Sequence, residues 1–406
     1  APLFAGAQLI MARPGGHQDS SYLVKLIAEK KITVLQLVPS LLQMLLEEKE
    51  IESCTHLKRA FCGGEALSRE LVERFFEKLP VDLHNLYGPT EASIDSTFWS
   101  CTGESKERSV PIGRPIANTE IYLLDCHLQP VPIGVSGELH IGGAGLARGY
   151  LNCTDVTAEK FLPNPFSSAP GSRLYKTGDL ARYLPDGNIE FLGRIDHQVK
   201  IRGFRVELGE IEAVLTQYPA IQQAIAVVRE DVPGNNRLVA YIIPNKDQAL
   251  TPNDLLNFLK SKLPDYMIPS AFVTLDALPL NSNGKVDRSA LPPPDGGRPE
   301  LEEAFVAPRT SVEKVLAGIW TEVLKLEKVG IHDNFFELGG HSLLATQVVS
   351  RIRAAFQVEL PLRSLFEKPT IAELVFAITQ SRGGTARAEE IDRILADIES
   401  LSDEEA

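Results

Sequence analysis

Along the first hundred residues, short apolar runs alternate with stretches whose apolar positions return every three or four residues. Leu23, Leu26 and Ile27 carry the helical spacing behind Asp19 or Ser20, either of which can cap a helix. Ile32 to Val38 reads as a buried strand, Ser40 to Glu48 as a helix, and Arg59 to Cys62 as a strand that ends on Gly63-Gly64. A helix over Ser68 to Leu79 and a strand over Asp82 to Leu86 follow. This alternation predicts an α/β architecture, in which ligands gather at the C-terminal ends of strands.

The rhythm then changes. From about 110 to 195 strands dominate, broken by Gly and Pro, with Thr119–Asp125, Gly137–Gly142 and Asn188–Leu192 the clearest. Between 196 and 290 the pattern is mixed: a helix at Leu208–Gln217, strands at Ala224–Arg229 and Leu238–Pro244, and a helix at Asn253–Leu263. The run Leu291-Pro292-Pro293-Pro294-Asp295-Gly296-Gly297-Arg298-Pro299 has linker composition, and only helical periodicity follows it. The predicted plan is therefore a large α/β and β-rich region over 1–195, a small α+β region over 196–290, a linker over 291–305, an all-α bundle over 306–381 and an acidic tail over 382–406. In that tail, apolar residues at 391, 394, 395, 398 and 401 give a solvated linker helix or a docking element.

Composition narrows the class. Hydrophobic content of 44% and charged content of 23% over 406 residues suit soluble globular protein with two or three domains. A net charge of −13 argues against a broad nucleic-acid or anionic-membrane surface, while leaving room for a local phosphate pocket. The five cysteines (54, 62, 101, 126, 153) lack Cys-x-x-Cys spacing and fit a reducing cytosol, so the expected location is cytoplasmic. Ile32 to Leu46 is too short and too interrupted to span a bilayer. The N-terminus has neither an initiator Met nor a basic leader, and is expected to be a cut inside a larger protein.

Ser342 is the position with the clearest chemistry. It follows Gly339-Gly340-His341 and opens an apolar-periodic helix, where free N–H groups and the helix dipole favour a phosphate. A plain N-cap serine fits the local pattern too. A hydrolase elbow does not, because Leu344 stands where Gly-x-Ser-x-Gly needs its last glycine. The whole run, Asp333-Asn334-Phe335-Phe336-Glu337-Leu338-Gly339-Gly340-His341-Ser342, resembles the attachment site of carrier-protein domains.

Upstream stand further blocks: Asn85-Leu86-Tyr87-Gly88-Pro89-Thr90-Glu91, Gly137-Glu138-Leu139-His140-Ile141-Gly142-Gly143, Tyr175-Lys176-Thr177-Gly178-Asp179-Leu180, Gly193-Arg194-Ile195-Asp196 running on to Lys200-Ile201-Arg202-Gly203, and Asn283-Gly284-Lys285-Val286-Asp287-Arg288. Their order resembles the adenylation domains of nonribosomal peptide synthetases, within the adenylate-forming superfamily. With the carrier run, the resemblance covers essentially the whole chain.

The resemblance implies an adenylate-forming fold followed by a four-helix carrier domain. It also implies that the parent enzyme converts an amino acid and ATP to aminoacyl-AMP and loads the acyl group as a thioester on a 4′-phosphopantetheine arm at Ser342. By the same resemblance Tyr87 stacks on adenine with Gly64 beneath, Asn85 reads the base edge, and Asp179 and Arg194 face the ribose. Thr90 serves a phosphate, Glu91 holds Mg²⁺, Lys285 neutralises charge during adenylation, and Asp196 is the hinge between the two regions. The glycines at 142, 143 and 145 read as strand and turn, because no Gly-Lys-Ser/Thr follows.

Mapped in the same way, the substrate pocket is lined by Gln36, Phe61, Gly63, Leu86, Ile94 and Asp95. Two hydrogen-bonding groups in an otherwise apolar cavity favour a mid-sized polar side chain: glutamine, then glutamate. Implied partners are a phosphopantetheinyl transferase and neighbouring condensation or thioesterase domains. The family's N-terminal phosphate loop and the aspartate for the substrate ammonium have no match in this sequence, so the chain alone is expected to adenylate poorly or not at all. The alternatives are a carrier and docking module without catalysis, or an acyl-CoA ligase-like enzyme.

Overall fold

Three consecutive β-strands alternate buried and less buried side chains, and that alternation decides which face of the first sheet receives helices. The computed structural model describes residues 2–381 except 104–108, 197, 202, 231–236, 246–251, 281–285, 295–304, 325, 337, 339, 341, 359 and 362. It divides into two units, one of Ala1–Met11 with Ser20–Leu208 and one of Ala12–Asp19 with Gly209–Ala406.

In the first unit, α1 (Ser20–Glu29), β1 (Val34–Leu37), α2 (Pro39–Glu47), β2 (Arg59–Gly63), α3 (Arg69–Lys78) and β3 (Asp82–Tyr87) succeed one another. Strands β1, β2 and β3 are parallel, and β4 (Thr97–Ser100) and β5 (Arg114–Pro115) extend the sheet antiparallel in the order β1-β2-β3-β4-β5. Leu37, Ala60, Cys62 and Leu83 join Leu42, Leu45, Phe75 and other helix residues in one core. Helix α3 begins where its cap dictates: the Ser68 hydroxyl accepts the Leu71 N–H at 3.2 Å. Helix α2 begins with Pro39 in its first turn, where a missing N–H costs nothing.

The second sheet has the order β10-β9-β7-β6, built from β6 (Thr119–Leu124), β7 (Gly137–Gly143), β9 (Arg173–Tyr183) and β10 (Ile189–Arg194). Helix α4 (Thr154–Lys160) leads into β8 (Phe161–Pro163), which pairs with β9. Eleven-residue β9 is the longest strand among the described residues, and Lys176, Asp179 and Arg182 within it hide its alternation from a sequence reading. The block that begins at Lys200 falls in a hairpin formed by β11 (Gln198–Ile201) and β12 (Phe204–Glu207), with Gly203 at φ +78° in its turn.

In the second unit, α5 (Leu208–Leu215), β13 (Ile221–Arg229), β14 (Arg237–Pro244), α6 (Pro252–Lys260) and β15 (Ala271–Thr274) make a three-stranded sheet of order β13-β14-β15 with its helices. Leu291, the first residue of the linker-like run, is buried in this sheet's core. Its carbonyl accepts from Arg229 at 3.0 Å and the next, of Pro292, from the Tyr241 hydroxyl at 2.5 Å, so the run starts fastened. Among the described residues four helices follow: α7 (Ser311–Leu324), α8 (Ser342–Phe356), α9 (Arg363–Glu367) and α10 (Ile371–Ser381). They close round Trp320, Phe335, Val348, Ile352, Leu365 and Leu374. The expected acidic tail lies outside the described residues.

Candidate functional site

Strand β3 delivers Tyr87 to the C-terminal edge of the parallel strands, where a ligand crevice is expected. Its ring is 7% exposed, and its hydroxyl donates to Asp179 Oδ2 at 2.5 Å. Asp179 sits on β9 after the Thr177-Gly178 turn; Gly178 has φ +77°, and a Cβ there would meet Arg194 at 2.8 Å and Asp196 at 2.9 Å. Arg194, from β10, donates to Asp179 Oδ1 at 2.6 Å and grips Asp196 with two further 2.6 Å bonds.

Four predicted residues, Tyr87, Asp179, Arg194 and Asp196, thus form one connected network. Burial raises the pKa of both Tyr87 and Asp179, with Arg194 working against the rise. Burial would lower that of Arg194, but its bonds and charge partners Asp196 and Asp179 outweigh this and raise it. Both Asp179 oxygens already accept a protein donor. Each keeps a second lone pair for a ligand hydroxyl. Asn85 is buried, and its side-chain NH₂ donates to the Pro111 carbonyl at 2.8 Å. Gly64 follows the end of β2 at φ +89°.

The turn after Tyr87 is tight. A Cβ on Gly88 would lie 2.3 Å from the Ile94 carbonyl, and Ser93 and Ile94 take φ +59° and +80°, a costly conformation for a β-branched residue. Thr90 is exposed at the start of a single 3₁₀ turn, and Glu91 beside it is buried. Glu91 Oε1 accepts from the Tyr150 hydroxyl at 2.6 Å and from Arg205 at 2.7 Å. Burial would raise the Glu91 pKa, but Tyr150 and Arg205 outweigh it and hold the carboxyl below its usual range.

Glu91 Oε2 is buried with no hydrogen-bond partner among the described residues. A hard cation suits that orphan oxygen. The described residues hold no group of three His, Cys, Asp or Glu that could cage a metal. A single carboxylate therefore fits an Mg²⁺ that takes its other ligands from water and substrate phosphates.

The predicted pocket residues fall on one sheet face and the turn beside it. Gln36 pairs with Phe61 across β1 and β2, and Gly63 with Leu86 across β2 and β3. Their side chains lie on the less buried face of the alternation. A Cβ on Gly63 would meet the Leu86 carbonyl at 3.0 Å, so glycine both opens the pocket and lets the strands pack. Phe61 stacks on His84 at 5.0 Å. Ile94 is exposed and Asp95 half-buried on the turn joining β3 to β4; burial raises the Asp95 pKa.

Three residues absent from the sequence reading complete the site. Glu65 accepts the Ser40 N–H at 3.0 Å with one oxygen and the Gly203 N–H at 2.5 Å with the other, tying the hairpin turn to the start of α2. Arg205 and Tyr150 converge on Glu91 from β12 and from the loop before α4. Their partners stand far off along the chain, so spacing gives no hint of them. Lys200, singled out in sequence, lies with its ammonium 5.9 Å from the centre of the Tyr87 ring; burial lowers its pKa against the pull of Asp179. Arg202 and Lys285 lie outside the described residues.

At the far end of the chain, Ser342 is the first residue of α8, the place predicted for it. What sets that start is an aromatic contact. Phe335 is buried and meets Trp320 edge-on at 5.0 Å, and a Cβ on Gly340 would collide with the Phe335 ring at 2.4 Å. The Gly340 N–H donates to the Phe335 carbonyl at 2.9 Å, so the chain turns against the ring and enters the helix two residues later.

Comparison with known proteins gives three family matches: AMP-binding enzyme over residues 1–151, AMP-binding enzyme C-terminal domain over 210–285, and phosphopantetheine attachment site over 314–378. Tyrocidine synthase 3 of Brevibacillus parabrevis is 50% identical over 387 residues, spanning 95% of this chain and 6% of that protein. Phosphinothricin tripeptide synthetase PhsB of Streptomyces viridochromogenes is 47% identical over 407 residues, spanning 99% of this chain and 34% of that protein. The chain thus corresponds to a small part of these relatives. Among solved structures, holo-PA1221, an NRPS protein containing adenylation and PCP domains bound to a vinylsulfonamide inhibitor, superposes with TM-score 0.71. Identity there is 32%, over 87% of this chain and 58% of that one.

Proposed function

Because the chain belongs to the nonribosomal peptide synthetases, joining AMP-binding enzyme regions to a phosphopantetheine attachment domain, we propose that it is the activating and carrying part of one module. The module activates an amino acid as aminoacyl-AMP and loads it on the arm at Ser342. What carries this reading is the presence in one chain of the Tyr87–Asp179–Arg194 network beside Glu91 and of a serine that opens α8. ATP, Mg²⁺ and 4′-phosphopantetheine supply the leaving group, the countercharge and the thiol.

The chain's own residues bind and orient. Tyr87, Gly64 and Asn85 hold the base, Asp179 and Arg194 the ribose, and Thr90 and Glu91 the phosphate and the cation. Lys285 balances charge as the carboxylate attacks, and Asp196, clamped by Arg194, is the pivot. The domain plan 1–195, 196–290, 291–305, 306–381 and 382–406 accompanies this reading. The substrate is glutamine before glutamate, on the strength of Gln36 and Asp95 beside Phe61, Leu86 and Ile94. A phosphopantetheinyl transferase and neighbouring synthetase domains are the partners, and the cytoplasm the setting. No helix among the described residues is long and apolar enough to cross a membrane.

The test is treatment with a phosphopantetheinyl transferase and coenzyme A, read by mass spectrometry. One cofactor arm per chain is expected, and none in Ser342→Ala; an arm retained in that variant overturns the assignment. Loading of amino acids by the parent module is expected to favour glutamine by at least tenfold over leucine, since the site's polar groups are left unpaired by an apolar side chain. A leucine or phenylalanine preference would reverse the pocket reading.

A further inference from the structure

Glu91 is 7% exposed, and a carboxylate so enclosed needs a countercharge. Its Oε1 has one, the Arg205 guanidinium at 2.7 Å, together with the Tyr150 hydroxyl; its Oε2 has no hydrogen-bond partner among the described residues. Arg205 reaches this point as part of a docked hairpin. The Gly203 N–H is bonded to Glu65, the absent Cβ of Gly203 would sit 2.8 Å from Val38, and Lys200 lies over Tyr87.

We propose that Arg205 is a positioning residue, an internal countercharge that competes with a divalent cation for Glu91, so that the docked β11–β12 hairpin and an occupied cation site exclude each other. The proposal rests on Glu91 being a cation ligand. Arg205 is drawn to Glu91 by one charge and repelled by a bound dication through two, over similar separations, so the repulsion prevails. Without the cation, withdrawing the hairpin takes from Glu91 the countercharge that Arg205 supplies. With it, docking brings a like charge to the same oxygen pair. Lys200, carried by the same hairpin to the Tyr87 ring, brings a second positive charge to the neighbourhood, which sharpens the exclusion. Linkage is reciprocal: whatever factor the hairpin takes from cation affinity, the cation takes from hairpin docking.

The experiment measures Mn²⁺ affinity of the full 406-residue chain from the free-ion electron paramagnetic resonance signal, with amide hydrogen exchange across 198–207 as second readout. Arg205→Gln is expected to tighten Mn²⁺ binding by roughly tenfold, within the usual range of such couplings. Arg205→Lys, which keeps the charge, should stay within about threefold of the unaltered chain on the same scale. Saturating Mn²⁺ should speed exchange of the Gly203 amide in the unaltered chain. Unchanged affinity in Arg205→Gln, with binding lost in Glu91→Gln, overturns the competition and leaves the cation reading standing. Mn²⁺ binding that survives Glu91→Gln removes the cation reading, and the proposal with it.

Discussion

A single missing methyl group places the start of α8 at Ser342. Gly340 lies against the face of Phe335, where a Cβ would come within 2.4 Å of both ring carbons and the backbone carbonyl, too close for any rotamer to relieve. Gly340→Ala is therefore expected to destabilise the bundle by about 1–3 kcal/mol, the usual cost of overpacking a core. Urea unfolding followed by Trp320 fluorescence checks this, and an unchanged midpoint would contradict the packing argument. Buried side chains elsewhere obey similar logic. Arg194 and Asp179, with side chains 13% and 6% exposed, are paired at 2.6 Å, so removing Arg194 would leave the Asp179 carboxyl buried without its countercharge.

At the scale of elements, end chemistry decides where helices start. Thr310 and Glu313 form a reciprocal cap on α7: the Glu313 N–H donates to the Thr310 hydroxyl at 3.2 Å, and Glu313 Oε2 accepts the Arg309 and Thr310 N–H groups at 2.7 and 3.0 Å. Thr370 and Glu373 repeat the arrangement on α10. Burial would raise the Glu313 pKa, but the two N–H donors and Arg309 overcome it and lower it. A carboxyl whose folded pKa is depressed contributes stability above its unfolded value of 4.5, and that contribution disappears as pH falls through the lower folded value. Glu313→Gln is expected to lose about 1 kcal/mol at pH 7 and to match the parent in the most acid solutions. Denaturation of both across pH 2 to 7 (about the span in which carboxyls titrate) reads the difference directly; a gap that widens toward acid would refute the sign.

For the whole molecule, hydrophobic rhythm alone gives the α/β start, the strand-rich middle and the helical end, because in each the buried face follows the period of its element. It fails for β9 and for the β11–β12 hairpin, where Lys176, Arg182 and Arg205 pair with Glu138, Glu190 and Glu91, Asp179 pairs with Arg194, and Lys200 lies by Tyr87, so that charged residues break the apolar alternation. Motif blocks locate Tyr87, Glu91, Asp179, Arg194 and Ser342. Glu65 and Tyr150 escape notice, since each works through partners 25 to 138 residues away. The cores round Phe75 and round Trp320 share no residue, so the cost of Gly340→Ala should appear in one calorimetric transition and leave another in place. The contact between Gly340 and Phe335 reaches further than stability. Where α8 begins is thereby tied to the aromatic interior, so a change that shifts the Phe335 ring shifts the entry to the helix with it.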